Sequence, residues 1–331
     1  MGPPENHGNA PPTIGRCATG LRRLLPLIVL GLMFVSIAGW FGRYSYLADL
    51  AAHFRLQYLL LAIPVTLLLA SMRQWKSAST GLAVVLVNAG CIAPLYGSSP
   101  ASNIASDAAP LQIIAVNVHV QNRSHSLLQE WIRKQQPDVV IVSELSTAWS
   151  AAMHELADLL PHRFERLENG NGGLGLYSRF PLDEAEWHLL GDVNYAGRVR
   201  ITVTGNPVTL FGIHTYAPFD RWMSVMRDQQ FARLTDLVNQ TDTPVIVAGD
   251  LNATTWSAGL KQMLAATRLR DTRVGFGLQP TWPDTFWPLR ITIDHCLVSD
   301  DIATVNRQVG PAIGSDHFPV VAELRLPATN Q

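Results

Sequence analysis

Cysteine is scarce in this chain of 331 residues, and Cys17, Cys91 and Cys296 lie far apart. A disulfide framework and a clustered thiolate zinc site are both excluded. Charge is scarce as well: Asp, Glu, Lys and Arg make up 15% of the residues, against about 25% in ordinary soluble domains. No repeat of solenoid length is visible, which excludes stacked-repeat architectures. What is abundant is apolar. Hydrophobic residues account for 47% of the chain and the mean hydropathy is +0.12, so a disordered, collagenous or coiled-coil chain is ruled out. Low charge with high hydropathy predicts that part of the chain lives in lipid. At ~150 residues per domain the length fits about two units.

The net charge of -1 hides an asymmetry: residues 1–97 carry +5 and the remainder -6. An acidic remainder argues against binding nucleic acid chiefly through phosphate contacts, since that needs a basic surface.

Three runs, Leu24 to Phe41, Leu56 to Met72 and Gly81 to Gly97, contain no charged residue. Each approaches the ~20 mainly apolar residues that cross a bilayer. A cleaved signal peptide is the other reading of the first run, but its length and the two further runs speak against it. A buried core helix is the other reading of the third, which contains Gly81, Asn88, Gly90 and Pro94. Arg16, Arg22 and Arg23 before the first run, with Arg73 and Lys76 between the second and third, predict an N-inside, multi-pass protein of a plasma or inner membrane. Its C-terminal part is then extracytoplasmic. Residues 1–23 read as a disordered tail and 98–110 as a linker.

From residue 111 short β-branched runs alternate with helical stretches. Strands are predicted at 111–118, 139–142, 173–177, 199–203, 208–213, 245–248, 293–298 and 319–326, and helices at 126–135, 147–160, 221–239 and 257–266. Several apolar strands end in a residue able to bind metal or move protons: Asn117, Glu144, His214, Asp250 with Asn252, Asp294, and Asp316 with His317. Taken singly, each has a plain structural explanation as a turn, cap or buried polar group. As an ordered set on strand ends they predict one shared pocket.

The series N117, E144, H214, G249-D250-L251-N252, D294 and S315-D316-H317, with G-G-L-G-L-Y-S-R-F-P-L at 172–182, resembles the endonuclease/exonuclease/phosphatase superfamily. The resemblance covers residues 111–326. It implies an α/β fold, a four-layer α/β sandwich with two central mixed sheets, here preceded by about three transmembrane helices. It also implies cleavage of phosphate esters with Mg²⁺, or Mn²⁺, as cofactor. By the same resemblance Asn117 and Glu144 hold the metal with Asp316 near, Asp250 activates water, and Asn252 contacts the phosphate. His317, oriented by Asp294, stabilises charge at phosphorus, and His214 assists. Arg198 and Arg179 are candidate phosphate contacts. The chain departs from family patterns at His119, Ser143 and His295.

Two substrate classes remain open, a phospholipid or small diester and a nucleic acid. Trp222, Trp256, Trp282 and Trp287 suit a lipid interface or simple core packing equally. The reading from another class is a catalytically silent, membrane-anchored binding module. Apart from the bilayer and the ester substrate, no partner is implied.

Overall fold

The computed structural model describes residues 13–97, 108–168 and 170–327. The chain divides into two compact units, one of residues 1–37 and 55–91 and the other of 38–54 and 92–331. Most of the expected linker, 98–107, and the tail residues 1–12 lie outside the described residues.

The first unit contains helices α1 (Thr13–Ala38, whose last residue enters the second unit), α3 (Arg55–Ser71) and α4 (Trp75–Ile92). Helix α1 begins eleven residues before the first apolar run, which corrects the disordered tail: residues 13–23 are helical because Ala18, Leu21, Arg22 and Arg23 all favour helix. Helix α4 likewise starts six residues before the expected third run and ends at Ile92, where Pro94 stops it. Leu25, Val29, Val65, Leu69 and Ala78 pack together while Leu27, Phe34, Leu67 and Leu86 face outward. A helix apolar on every side belongs in a core or a membrane. Inside, Asn88 donates to Ser36 Oγ at 2.9 Å and Arg55 donates to the Ser36 carbonyl at 2.6 Å, satisfying buried polar groups within the bundle. Two helices are long and apolar enough to span, Gly20–Tyr44 and Trp75–Tyr96, or up to three if α2 (Tyr46–Ala52) and α3 count as one bent span.

The second unit holds α2, two six-stranded sheets and four more helices. The strands are β1 (Pro110–Asn117), β2 (Val139–Ser143), β3 (His162–Arg166), β4 (Leu174–Ser178), β5 (Asp183–Leu189), β6 (Tyr195–Val203), β7 (Asn206–His214), β8 (Val245–Asp250), β9 (Leu269–Asp271), β10 (Asp294–Ser299), β11 (Ala303–Val309) and β12 (Val320–Arg325). The helices are α5 (His125–Gln135), α6 (Thr147–His154), α7 (Arg221–Asn239) and α8 (Ala258–Ala266). One sheet runs β11-β12-β1-β2-β4-β3 and the other β5-β6-β7-β8-β10-β9. Both are mixed, since β1 with β2 and β7 with β8 are parallel and the remaining pairs antiparallel.

Burial explains the layering. The facing sides of the sheets share one apolar layer that includes Ile113, Ile141, Leu176, Ile201, Leu210, Ile246 and Val298. The outer face of the first sheet packs through Ile114 and Val140 on Leu128, Ile132 and Trp149 of α5 and α6. The outer face of the second packs through Phe211 and Val247 on Phe231, Leu234 and Leu260 of α7 and α8. The result is helix, sheet, sheet, helix: a four-layer α/β sandwich. Strands covered on both faces read as continuous apolar runs, as Val139–Ser143 and Val245–Asp250 do.

Helix α6 stops at His154, not at 160 as its sequence suggests. The next residues turn so that Leu156 and Leu160 enter the core.

Beneath the second sheet His295 is fully buried, its Nε2 donating to the Ala253 carbonyl at 2.8 Å. Burial holds its imidazole down at about 4, outweighing the nearby Asp271 carboxylate. A folded pKa below the unfolded value of about 6.5 makes the folded state gain stability as pH rises from about 4 to 6.5, and lose it on acidification through that window. The effect is on the order of 3 kcal/mol at about 1.4 kcal/mol per pH unit. Thermal unfolding from pH 7.5 to 4 should therefore show a steeper acid loss in the natural chain than in His295→Gln; parallel curves would refute this.

Candidate active site

Strand register brings the polar residues to one rim. In the second sheet Asp250 is paired with His214 on β7 and with Asp294 on β10. In the first, Asn117 is paired with Ser143, so Glu144 emerges just beyond the same edge. Hydrogen bonds tie the two rims across the sandwich: the Asn117 amide donates to Glu144 Oε1 at 3.1 Å and to Asp250 Oδ2 at 3.0 Å.

The backbone is bent to aim these groups. Glu144, Asn252 and His119 all have positive φ, at 60°, 46° and 57°. Such conformations are rare for Glu and His and collect at functional sites. Gly249 has φ 139°, and a Cβ there would lie 2.0 Å from the Ile213 carbonyl oxygen, so the G-D-L-N segment needs its glycine to bring Asp250 against β7.

His317 is buried, with Nδ1 2.9 Å from Asp294 Oδ2 and Nε2 3.8 Å from Asp250 Oδ2. Burial alone lowers its pKa, but the Asp294 and Asp250 carboxylates prevail and raise it to about 10. His317 is thus an imidazolium at neutral pH, a donor at both nitrogens. Asp250 is pushed up to about 6 by burial and by Asp294, against the pull of His317 and His214. Its Oδ1 accepts from the Asn252 backbone N–H at 2.9 Å. His214 Nδ1 lies 3.0 Å from the Asn171 carbonyl, which fixes the proton on Nδ1, and leaves Nε2 3.7 Å from Asp250 Oδ2. A carboxylate able to take a proton thus has an imidazolium and a second imidazole beside it, their Nε2 atoms 3.8 and 3.7 Å from its Oδ2.

These groups line a cavity of about 730 Å³. Glu144, Asp250 and Asp316 contribute carboxylates to it, and among the described residues no Lys or Arg lines it. Asp294 Oδ1 is buried without a hydrogen-bond partner, and Asp316 Oδ1 meets the ring of His119 at 3.2 Å. Hard oxygen donors in negative excess, one of them unpartnered, fit a divalent cation. Asp250, Asp294 and His317 also form a buried group whose ligand atoms lie within 4.8 Å of one another. With Asp294 already committed to His317, the carboxylates that line the cavity are Glu144, Asp250 and Asp316, and the Asn117 amide bridges the first two.

Every expected catalytic and metal residue reaches this rim, and the two arginines do not. Arg179 pairs with Asp138 at 3.3 Å and donates to the Gln136 carbonyl, whereas Arg198 sits between Glu184 and Glu186 on the β5–β6 edge. Neither lines the cavity, which corrects their reading as phosphate contacts. Arg179→Ala and Arg198→Ala should each leave KM for a phosphate ester within about twofold of the natural value, as surface changes away from a site do. A tenfold rise would restore them to the site.

Several contributors had no site role assigned from the sequence. Trp282 Nε1 donates to Asp316 Oδ2 at 3.0 Å, Asn194 donates to the His214 carbonyl, and Ser315 Oγ donates to the Asn117 carbonyl at 2.7 Å. His119 Nδ1 stands 3.2 Å from Asp316 Oδ1. The tryptophan in W-P-D-T-F-W-P was the one visible hint.

Two mixed sheets back to back, with acids, amides and histidines converging on one rim, define a phosphoesterase fold. The family model of the Endonuclease/Exonuclease/phosphatase family matches residues 114–317, and the chain belongs to that family, whose members are hydrolases acting on phosphoester bonds. Solved structures agree on the fold. TDP2 of D. rerio complexed with a single-strand DNA product aligns at TM-score 0.58 and 18% identity, over 65% of this chain and 99% of that one. A family protein of Beutenbergia cavernae aligns at 0.55 and 19%, over 66% and 72%. One of Bacteroides vulgatus aligns at 0.54 and 17%, over 66% and 99%. No curated protein sequence matches the chain.

Proposed function

We propose that the protein is a membrane-anchored, divalent-metal-dependent hydrolase of phosphodiesters. The observation that carries this reading is the Asp294–His317 pair beside Asp250, with the Asn117 amide bridging Asp250 and Glu144. Glu144 and Asn117, with Asp316 beside them, would hold Mg²⁺ or Mn²⁺. When bound, that ion supplies charge neutralisation at the phosphate oxygens.

The residues divide the remaining work. Asp250, buried and raised towards neutrality, accepts the proton of the attacking water and is steadied by the Asn252 N–H and the Asn117 amide. His317 donates to a non-bridging oxygen as negative charge grows there, and Asp294 keeps it oriented and protonated. His214, fixed through Asn171, faces the same space and assists the leaving group. Asn252 stands at the cavity wall as a further donor to the phosphate. The attack is in line, from the Asp250 side.

Anchoring rests on Gly20–Tyr44 and Trp75–Tyr96, and α3 adds a third crossing at the ~17-residue lower limit. The basic flanks favour an N-terminus inside and a catalytic unit outside.

The test is hydrolysis by the intact chain in amphipol of bis(p-nitrophenyl) phosphate, plasmid DNA and phosphatidylglycerol, with Mg²⁺ or EDTA. Turnover of at least one diester that EDTA abolishes and Mg²⁺ restores is expected. Folded protein that turns over none of them, with either Mg²⁺ or Mn²⁺, would refute the proposal and favour a silent binding module.

A further inference from the structure

The cavity is not built by residues 111–326 alone. Residues 38–54, which join α1 to α3, belong to the catalytic unit. They are fastened there by buried groups: Asp49 Oδ2 accepts from Arg227 Nη2 at 2.6 Å and Asp49 Oδ1 from the Ala258 backbone N–H at 2.6 Å. His53 Nδ1 meets Thr254 Oγ1 at 3.0 Å. Arg227 in turn donates to the Asn252 carbonyl at 3.4 Å, so the same guanidinium touches the G-D-L-N segment.

Fastened this way, Leu50, His53 and Phe54 line the cavity that holds Asp250, Asn252 and His317. Pro218, Phe219 and Met223 line it as well. Phe219 is 81% exposed, an apolar lip open to whatever the catalytic unit meets. The cavity lining is therefore part ionic and part apolar.

Accepting the phosphodiesterase reading above, we propose that residues 38–54 are a specificity element, and that Leu50 and Phe54 with Pro218, Phe219 and Met223 seat the acyl or alkyl chain of an amphiphilic phosphate ester. Two features favour such a ligand over a polynucleotide. A polynucleotide presents successive phosphates and demands Lys or Arg along its track, and among the described residues the cavity lining has none. An amphiphile presents one phosphate and an apolar body, which matches a lining that is part ionic and part apolar.

Two readouts test this in the intact chain in amphipol. The first is kcat/KM on phosphatidylglycerol divided by kcat/KM on bis(p-nitrophenyl) phosphate. Leu50→Ser and Phe54→Ser should each lower that ratio at least tenfold, while Leu47→Ser, on the exposed side of α2 and outside the cavity, should not move it. The second needs no turnover: dodecyl phosphate should bind at least tenfold more tightly than butyl phosphate, and the two serine variants should erase the difference. Equal binding of the two alkyl phosphates would overturn the inference, as would both substrates slowing by the same factor, or plasmid DNA being preferred to phosphatidylglycerol. Chain-dependent binding without hydrolysis of any diester would support the apolar seat while refuting the proposed reaction, so the two failures are distinguishable.

Discussion

His317→Ala is expected to lower kcat on a phosphodiester by about 10³-fold, within the 10²–10⁴ typical of a positioned acid-base group, with a much smaller change in KM. His317 is poised to give its strongest hydrogen bond only when charge accumulates at the phosphate, so its loss falls on the transition state and not on binding. Raised to about 10, it is charged throughout the neutral range and needs no proton uptake before it acts. The substitution also strands Asp294, which is buried and whose other oxygen has no hydrogen-bond partner, so some loss of stability accompanies it. The two effects separate in the pair His317→Ala with Asp294→Asn: melting temperature recovers because the stranded charge is gone, and turnover does not. A fall of less than fivefold in kcat for the single variant would remove His317 from the mechanism.

Asp49→Ala should destabilise the catalytic unit by about 3–5 kcal/mol, the usual consequence of removing one partner of a buried ion pair. Arg227 is fully buried, and although Asp228 Oδ1 stands 2.9 Å from its Nη2, that carboxylate is itself 39% exposed and serves both Nε and Nη2. Asp49 is the buried counter-charge, at 2% exposure, and it also caps the Ala258 N–H. At about 2–4 °C per kcal/mol for a domain of this size, the melting temperature should fall by roughly 10 °C. Replacing the pair together, Asp49→Leu with Arg227→Met, should recover much of it, since apolar groups of similar volume often substitute for a buried pair without loss. Differential scanning fluorimetry on the three proteins decides the matter; a loss below 1 kcal/mol in the single variant would show the pair to be dispensable.

The parts of the fold legible from sequence were the ones buried on both faces. Strands such as β2 and β8 are uninterrupted apolar runs, and helix α7 was bounded correctly because Asp220 caps it and accepts from the Met223 N–H. Strands β3, β5, β9 and β11 were not foreseen. The sequence D-E-A-E-W-H-L of β5 is exposed along most of its length at a sheet edge, where pairing with β6 and not burial makes the strand. The site was legible because family spacing puts its residues on strand ends. The arginines misled because charge alone cannot tell a phosphate contact from an edge salt bridge. Residues 38–54 were opaque for a different reason: Asp49 meets Arg227 178 positions away and His53 meets Thr254 201 positions away, and no local pattern encodes such partners.

Strand β12 lies between β11 and β1, with Pro110 opposite Arg325 at the far end of the ladder. The last strand of the sandwich is thus an interior one, and Ser315, Asp316 and His317 arrive only just before it. During synthesis the first sheet must wait with β1 unpaired on one side while the whole of β2 to β11 emerges. Asp250 and Glu144 thus precede in the chain the imidazole of His317 that meets them at the rim. Without β12 the first sheet would keep an open edge at β1, and the segment carrying His317 would lose the strand that anchors it beside the rim.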